Sequence, residues 1–281
     1  MQVRRVLSAI SMQSLGPRAA LAGAEIAALA HAELVVLTVL RDPWEVLRPD
    51  EIEGLRRLHI GSPASIAAER ASKQLADLVR PAVLSAPSVT YRVAFGLPSV
   101  EIARSTEETG ADLIVIGCGD EVVQRGQESV TAATLRRSRV PVLVAPLRHR
   151  VCRRILACVD DSPNATAVLD AALALGEYQG AHVVALHVEP SPAGPAAPGG
   201  ASWLRRLDGA RESHGTAVAE CETVVRQGDP ATEILAQAAD DTDLIVFGYR
   251  RGLRYGNTGA IGTVAVRLLR RAECALLAVP V

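Results

Sequence analysis

The stretch FGYRRGLRYGNTGAIGTVAVRLL, residues 247 to 269, carries five glycines, four arginines and two threonines, and overlaps the end of the apolar run Leu244-Ile245-Val246-Phe247. Glycines let a backbone approach phosphate oxygens, and the first N–H groups of a helix add donors and a partial positive charge. Gly248, Gly252 and Gly262, with the Thr263 hydroxyl, are therefore candidates for a phosphate nest. The competing reading is a solvated connection between a strand and a helix. Arg250, Arg251 and Arg254 read as an exposed basic face, with direct phosphate contact as the alternative.

A second candidate is Asp160, followed by Asp161, directly after the apolar segment RILACV. In open parallel α/β sheets ligands bind beyond the carboxyl ends of the strands, where the strand order reverses. Asp160 either holds the turn before a helix starting near Pro163 or meets a ligand, and the two roles are compatible. His187 lies in an apolar run and reads as a core or strand-end histidine rather than a base. The sequence holds no nucleophile–base pair, no cluster at metal-ligand spacing and no G-x-x-x-x-G-K-[ST] loop. Catalysis is not expected, and slow nucleotide hydrolysis is the weakest of the readings.

These residues need strands and helices to position them. Short β-branched runs alternate with alanine-rich amphipathic stretches: strands are expected at 4–10, 33–39, 89–95, 112–116 and 140–145, and helices at 17–31, 63–80, 98–108 and 129–138. Uninterrupted apolar runs such as LIVIG and PVLVA suit strands buried on both faces, which is the pattern of a parallel sheet covered by helices. A helix is expected over 263–271, and the Pro/Gly/Ala segment 190–202 reads as a loop.

The pattern occurs twice. RRVLSAIS at 4–11 matches RRILACVD at 153–160, the segment 95–117 matches 227–248, and VPVLVAP at 140–146 matches CALLAVP at 274–280. Three matches in one order mean an internal duplication. The offset falls from 149 (Arg4 to Arg153) to 132 (Gly96 to Gly228), so the first copy carries extra residues between these points. Two domains are expected, 1–147 and 153–281, joined by a short basic link.

The chain has 281 residues, 49% of them hydrophobic and 22% charged, with a net charge of −1. That balance gives no long-range attraction to nucleic acid or to anionic membrane. Five scattered cysteines without a C-x-x-C pair read as reduced thiols of a cytoplasmic protein. The most apolar segment, 19–40, is broken by Glu25, His31 and Glu33, so no membrane anchor is expected.

A V-D pair at the end of a strand, a spaced glycine pair, nine residues, then G-[S/T] before a final apolar strand resembles the universal stress protein family over nearly the whole chain. The resemblance implies two tandem open, mainly parallel five-stranded sheets flanked by helices, of flavodoxin- or Rossmann-like type. It also implies ATP or a related adenine nucleotide as ligand, accompanied by Mg2+. Asp160 and Val188 would meet the adenine, and Gly248, Gly252, Gly262 and Thr263 would hold the phosphates. Gly248 and Gly252 are separated by three residues where the family pattern has two. In the first copy Ser11 replaces the aspartate, Asp120 and Glu121 enter the loop, and Glu128 takes the place of the last glycine. Carboxylates beside a polyphosphate repel it, so nucleotide is expected in the second copy alone. The alternative is a stress scaffold that binds no nucleotide and acts through protein contacts. The resemblance and the apolar last strands together predict an internal pseudo-dimer through 140–146 and 275–281, and two such chains could associate further as a homodimer.

Overall fold

The computed structural model describes residues 2–12, 17–58, 62–117, 129–145, 152–162, 164–189, 204, 205, 207–209, 221–239, 241–250 and 262–281. They divide into two units, Val3–Arg137, and Ser138–Val281 together with Gln2.

In the first unit the chain runs through β1 (Arg5–Ile10), α1 (Arg18–Leu29), β2 (Glu33–Leu40), α2 (Pro49–Leu58), α3 (Pro63–Val79), β3 (Ser88–Phe95), α4 (Pro98–Thr109), β4 (Leu113–Gly117) and α5 (Val130–Arg137). The strands are parallel in the order β3-β2-β1-β4. Val6 and Leu7 of β1, Leu34 of β2 and Leu113, Ile114 and Val115 of β4 have no accessible surface, as expected for strands covered on both faces.

The second unit contains β5 (Val142–Ala145), β6 (Arg154–Val159), α6 (Ala165–Gln179), β7 (His182–Glu189), β8 (Glu222–Gln227), α7 (Pro230–Ala238), β9 (Leu244–Tyr249), α8 (Thr263–Arg271) and β10 (Ala275–Pro280). Its strand order is β5-β10-β9-β6-β7-β8, parallel except for β5. The antiparallel register sets Leu276 opposite Val144 and Ala278 opposite Val142. All four residues of β5 are buried. The α/β class is as expected, but among the described residues the strands divide four and six between the units rather than five and five. The physical reason is the apolar edge of β5, the last strand of the first repeat, which is satisfied by pairing with β10.

The duplication is visible in one repeated device. Asp112 Oδ2 accepts from the N–H groups of Arg4 and Arg5 at 2.7 and 3.0 Å, and Asp243 Oδ2 accepts from those of Arg153 and Arg154 at 2.8 and 3.1 Å. In each repeat the aspartate before the fourth strand thus pins the entry to the first.

Helix α2 is not among the elements expected from the sequence, and it falls where the first copy carries its extra residues. Its acidic first turn is anchored by Arg70 of α3, which donates to both carboxylate oxygens of Glu51 at 2.9 Å, while Arg48 N donates to Glu51 Oε2 at 2.8 Å. The Arg70 hydrogen bonds, followed by that from Arg48, hold the Glu51 carboxyl at about 2, against 4.5 for a free side chain. A depressed folded pKa contributes stability that is complete above about 4.5 and is lost as pH falls toward about 2. Glu51→Gln should therefore lower the melting temperature at pH 6, and the difference from the parent should shrink to nothing near pH 2. A difference that persists undiminished at pH 2 would assign the effect to packing instead.

Candidate functional site

Five of the six expected ligand residues lie at or next to the carboxyl ends of β6, β7 and β9 and at the start of α8. Gly252 lies outside the described residues, as do Arg251, Arg254 and, in the first repeat, Asp120, Glu121 and Glu128.

Asp160 leaves the end of β6 exposed to solvent. Its Oδ1 accepts from Ser162 N at 3.0 Å and Ser162 Oγ at 2.5 Å, which closes an Asx turn ahead of α6. The turn role is thus real, and α6 begins at Ala165 with Asn164 as its N-cap. Asp160 Oδ2 makes no hydrogen bond to another described residue and remains available as an acceptor.

Val188, half-buried, sits one residue before the end of β7, in register with Arg226 of β8. Beside it, His187 is 4% exposed, and its Nδ1 lies 2.9 Å from Val159 O, across the β6–β7 pair. Its Nε2 faces Asp161 Oδ2 at 3.9 Å. In the first repeat the matching carbonyl, that of Ile10, accepts from the Thr38 hydroxyl at 3.0 Å. His187 is therefore a strand-end histidine, tying β7 to the turn that carries Asp160.

Gly248 lies inside β9, level with Val279 of β10. A Cβ there would come within 3.2 Å of Val168 Cγ2 on α6 and 3.5 Å of Val281. The glycine has a packing reason of its own, since α6 and the end of the chain close over it. The corresponding Gly117 would meet nothing within 4 Å.

Gly262 is the N-cap of α8, with φ 83° and ψ 147°, a backbone conformation that L side chains rarely adopt. The space a Cβ would enter is open. Among the described residues no side chain caps this helix, and its first turn, which begins at the exposed Thr263, holds no acidic residue that would neutralise the leading N–H groups. Helix α5 is built the other way: Ser129 Oγ accepts from Ala132 N at 3.1 Å, closing that helix start with its own hydroxyl. Among the described residues, the helix after the fourth strand thus has a side-chain cap in the first repeat and none in the second.

A cluster at the neighbouring helix start lies outside the residues expected from the sequence. Asp229 caps α7, its Oδ2 accepting from Thr232 N at 2.9 Å and Thr232 Oγ1 at 2.7 Å. Arg267 of α8 reaches the same oxygen at 2.6 Å and Thr232 Oγ1 at 2.8 Å. The signal was present in the duplication, because the first repeat has Leu97, Val100 and Ala133 in these places.

Among the described residues no group of three or more His, Cys, Asp or Glu could hold a metal ion, and no helix is long and apolar enough to cross a membrane. Cys152, Cys158, Cys221 and Cys274 carry free thiols, and burial pushes the Cys152 thiol up to about 12, well away from a reactive thiolate.

Comparison with solved structures places this architecture. A putative universal stress protein from Pseudomonas aeruginosa UCBPP-PA14 superposes with a TM-score of 0.67 at 20% identity, covering 99% of this chain and 93% of its own. A universal stress protein from Archaeoglobus fulgidus DSM 4304 gives 0.65 at 17% identity, covering 100% and 99%. At such identities the likeness speaks for the fold. Comparison with curated proteins finds no match. The model of the universal stress protein family matches twice, over residues 2–146 and 152–280. With both repeats matched, nearly end to end, the chain belongs to the universal stress protein family.

Proposed function

We propose that this chain is a regulatory universal stress protein that binds ATP or a related adenine nucleotide in its second repeat, while the first repeat has become a partner without a ligand. The observation that carries the reading is the contrast between the two fourth-strand helices: α8 starts behind Gly262 at positive φ with no side-chain cap among the described residues, whereas Ser129 caps α5. The helix start suits phosphate oxygens, because the first N–H groups of a helix have no acceptor within the helix itself. Thr263 adds a hydroxyl at the mouth of the same turn. At the other end of the site, Asp160 Oδ2 would accept from the exocyclic amine of adenine, and the backbone at Val188 would border the ring. Gly248 and Gly252 would frame the loop between. Mg2+ would travel with the triphosphate rather than sit on a carboxylate cluster of the protein. The domains in this reading are the repeats 1–147 and 153–281, held as an internal pseudo-dimer that includes the β5–β10 pairing.

Calorimetry with ATP on Asp160→Ala and Ser11→Ala tests the assignment. Loss of the adenine hydrogen bond should weaken binding by about 1 to 3 kcal/mol in Asp160→Ala, with Ser11→Ala unchanged. Equal effects of the two substitutions would contradict it. The competing reading, a scaffold without nucleotide, requires a parent protein that gives no binding heat and releases no adenine compound when freshly purified and unfolded.

A further inference from the structure

We infer that Arg267 is the positioning residue for the phosphate end of this site: by gripping Asp229 and Thr232 at the start of α7, it holds the open first turn of α8 in the orientation a polyphosphate needs. The inference rests on the nucleotide reading above and goes beyond it, since Arg267 is neither in the glycine loop nor among the residues that would meet the ligand.

Arg267 stands four residues after Thr263, one turn further along the same face of α8. A cation this close to a helix N-terminus is unfavourable on its own, because the helix dipole has the same sign there. Its place is explained by what it grips. One guanidinium nitrogen lies 2.6 Å from Asp229 Oδ2 and the other 2.8 Å from Thr232 Oγ1, while Thr232 itself donates to Asp229 from N and Oγ1. The fork geometry fixes α8 in rotation as well as in distance, which a single point charge could not do. The Thr232 hydrogen bonds first, and then those of Arg267, lower the Asp229 pKa, so the carboxylate is ionised and the clamp closed at neutral pH. The clamp belongs to the second repeat alone. Leu97, Val100 and Ala133 replace all three residues in the first, and there Leu97 is 67% and Val100 39% exposed. The repeat whose helix start has no side-chain cap among the described residues is thus the one that has the clamp.

The test uses the full chain with Arg267→Ala, Arg267→Lys and Asp229→Asn, and reads ATP and adenosine affinity by calorimetry. Hydrogen exchange of the amides over 262–266 in the free protein is read alongside. Arg267→Ala should weaken ATP about three- to tenfold while adenosine changes by less than about twofold, and exchange in the first turn of α8 should rise. Arg267→Lys should be intermediate, since an ammonium reaches Asp229 but cannot hold Thr232 in the same geometry. Asp229→Asn, which keeps a capping oxygen, should follow the same selective pattern; with Arg267→Lys it carries the test if Arg267→Ala does not fold. Equal losses for ATP and adenosine would reduce Arg267 to a general structural contact and overturn the inference, as would unchanged ATP affinity. A parent protein that binds neither compound overturns the nucleotide reading and this inference together, whereas a binding parent with an insensitive Arg267 overturns this inference alone.

Discussion

A chain ending at Cys274 should aggregate rather than yield a clean half-molecule. Residues 275–281 supply β10, which lies between β9 and β5, so their removal bares the edges of both neighbours. Leu276, Leu277, Ala278 and Val279 are all at least 95% buried. Burial of each leucine or valine contributes about 1.5 to 3 kcal/mol, so the three large side chains together approach the roughly 5 to 15 kcal/mol that holds a whole domain folded. The exposed strand edges would then pair with other chains. Size-exclusion chromatography with light scattering should show soluble aggregate or no soluble protein. A monomeric deletion product with a cooperative melting transition would show that β10 is not central to the unit.

The second large effect concerns the ligand. Gly262→Glu, which places in the second repeat the residue type found at position 128 of the first, should abolish measurable ATP binding. Two causes act together. A non-glycine residue at φ 83° is strained by about 1 to 2 kcal/mol, which disfavours the observed helix start. A carboxylate would also stand at the N–H groups offered to phosphate, satisfying the helix dipole internally and repelling the incoming anion. The combined loss should reach about 3 kcal/mol or more, beyond a hundredfold in affinity, while the melting temperature drops by a few degrees. ATP affinity within a factor of about three of the parent would mean that the phosphates are not held at this helix.

Much of this arrangement was legible because buried parallel strands leave a strong mark. Runs such as LIVIG and VLVA admit no solvated face, and their repetition gave both the duplication and the strand order's raw material. Helix α8 was placed at its observed bounds because Gly262 and Thr263 mark its start and an alternating apolar face follows. Helix α2 was missed for the opposite reason. PDEIEGLRRL carries few apolar residues, and what docks it is tertiary: Ile52, 2% exposed, and Leu55 pack with Ala67 of α3, beside the Glu51–Arg70 pair, whose partners are 19 residues apart. The Arg267–Asp229 contact spans 38 residues, so neither side chain advertises it locally; only comparison of the two repeats points there. The motif points Gly248 to phosphate, whereas the structure gives it a packing duty in admitting Val168 and Val281. That duty depends on tertiary closeness and leaves no mark in the loop sequence.

The asymmetry of the repeats is tested most directly by the stoichiometry of nucleotide binding. Isothermal calorimetry of the full chain with ATP and Mg2+ should give one site per chain, abolished by Gly262→Glu and weakened by Asp160→Ala. Two sites per chain would show that the capped α5 start and Ser11 still accept a nucleotide, and no heat at any concentration would show that neither repeat does; either result contradicts the account.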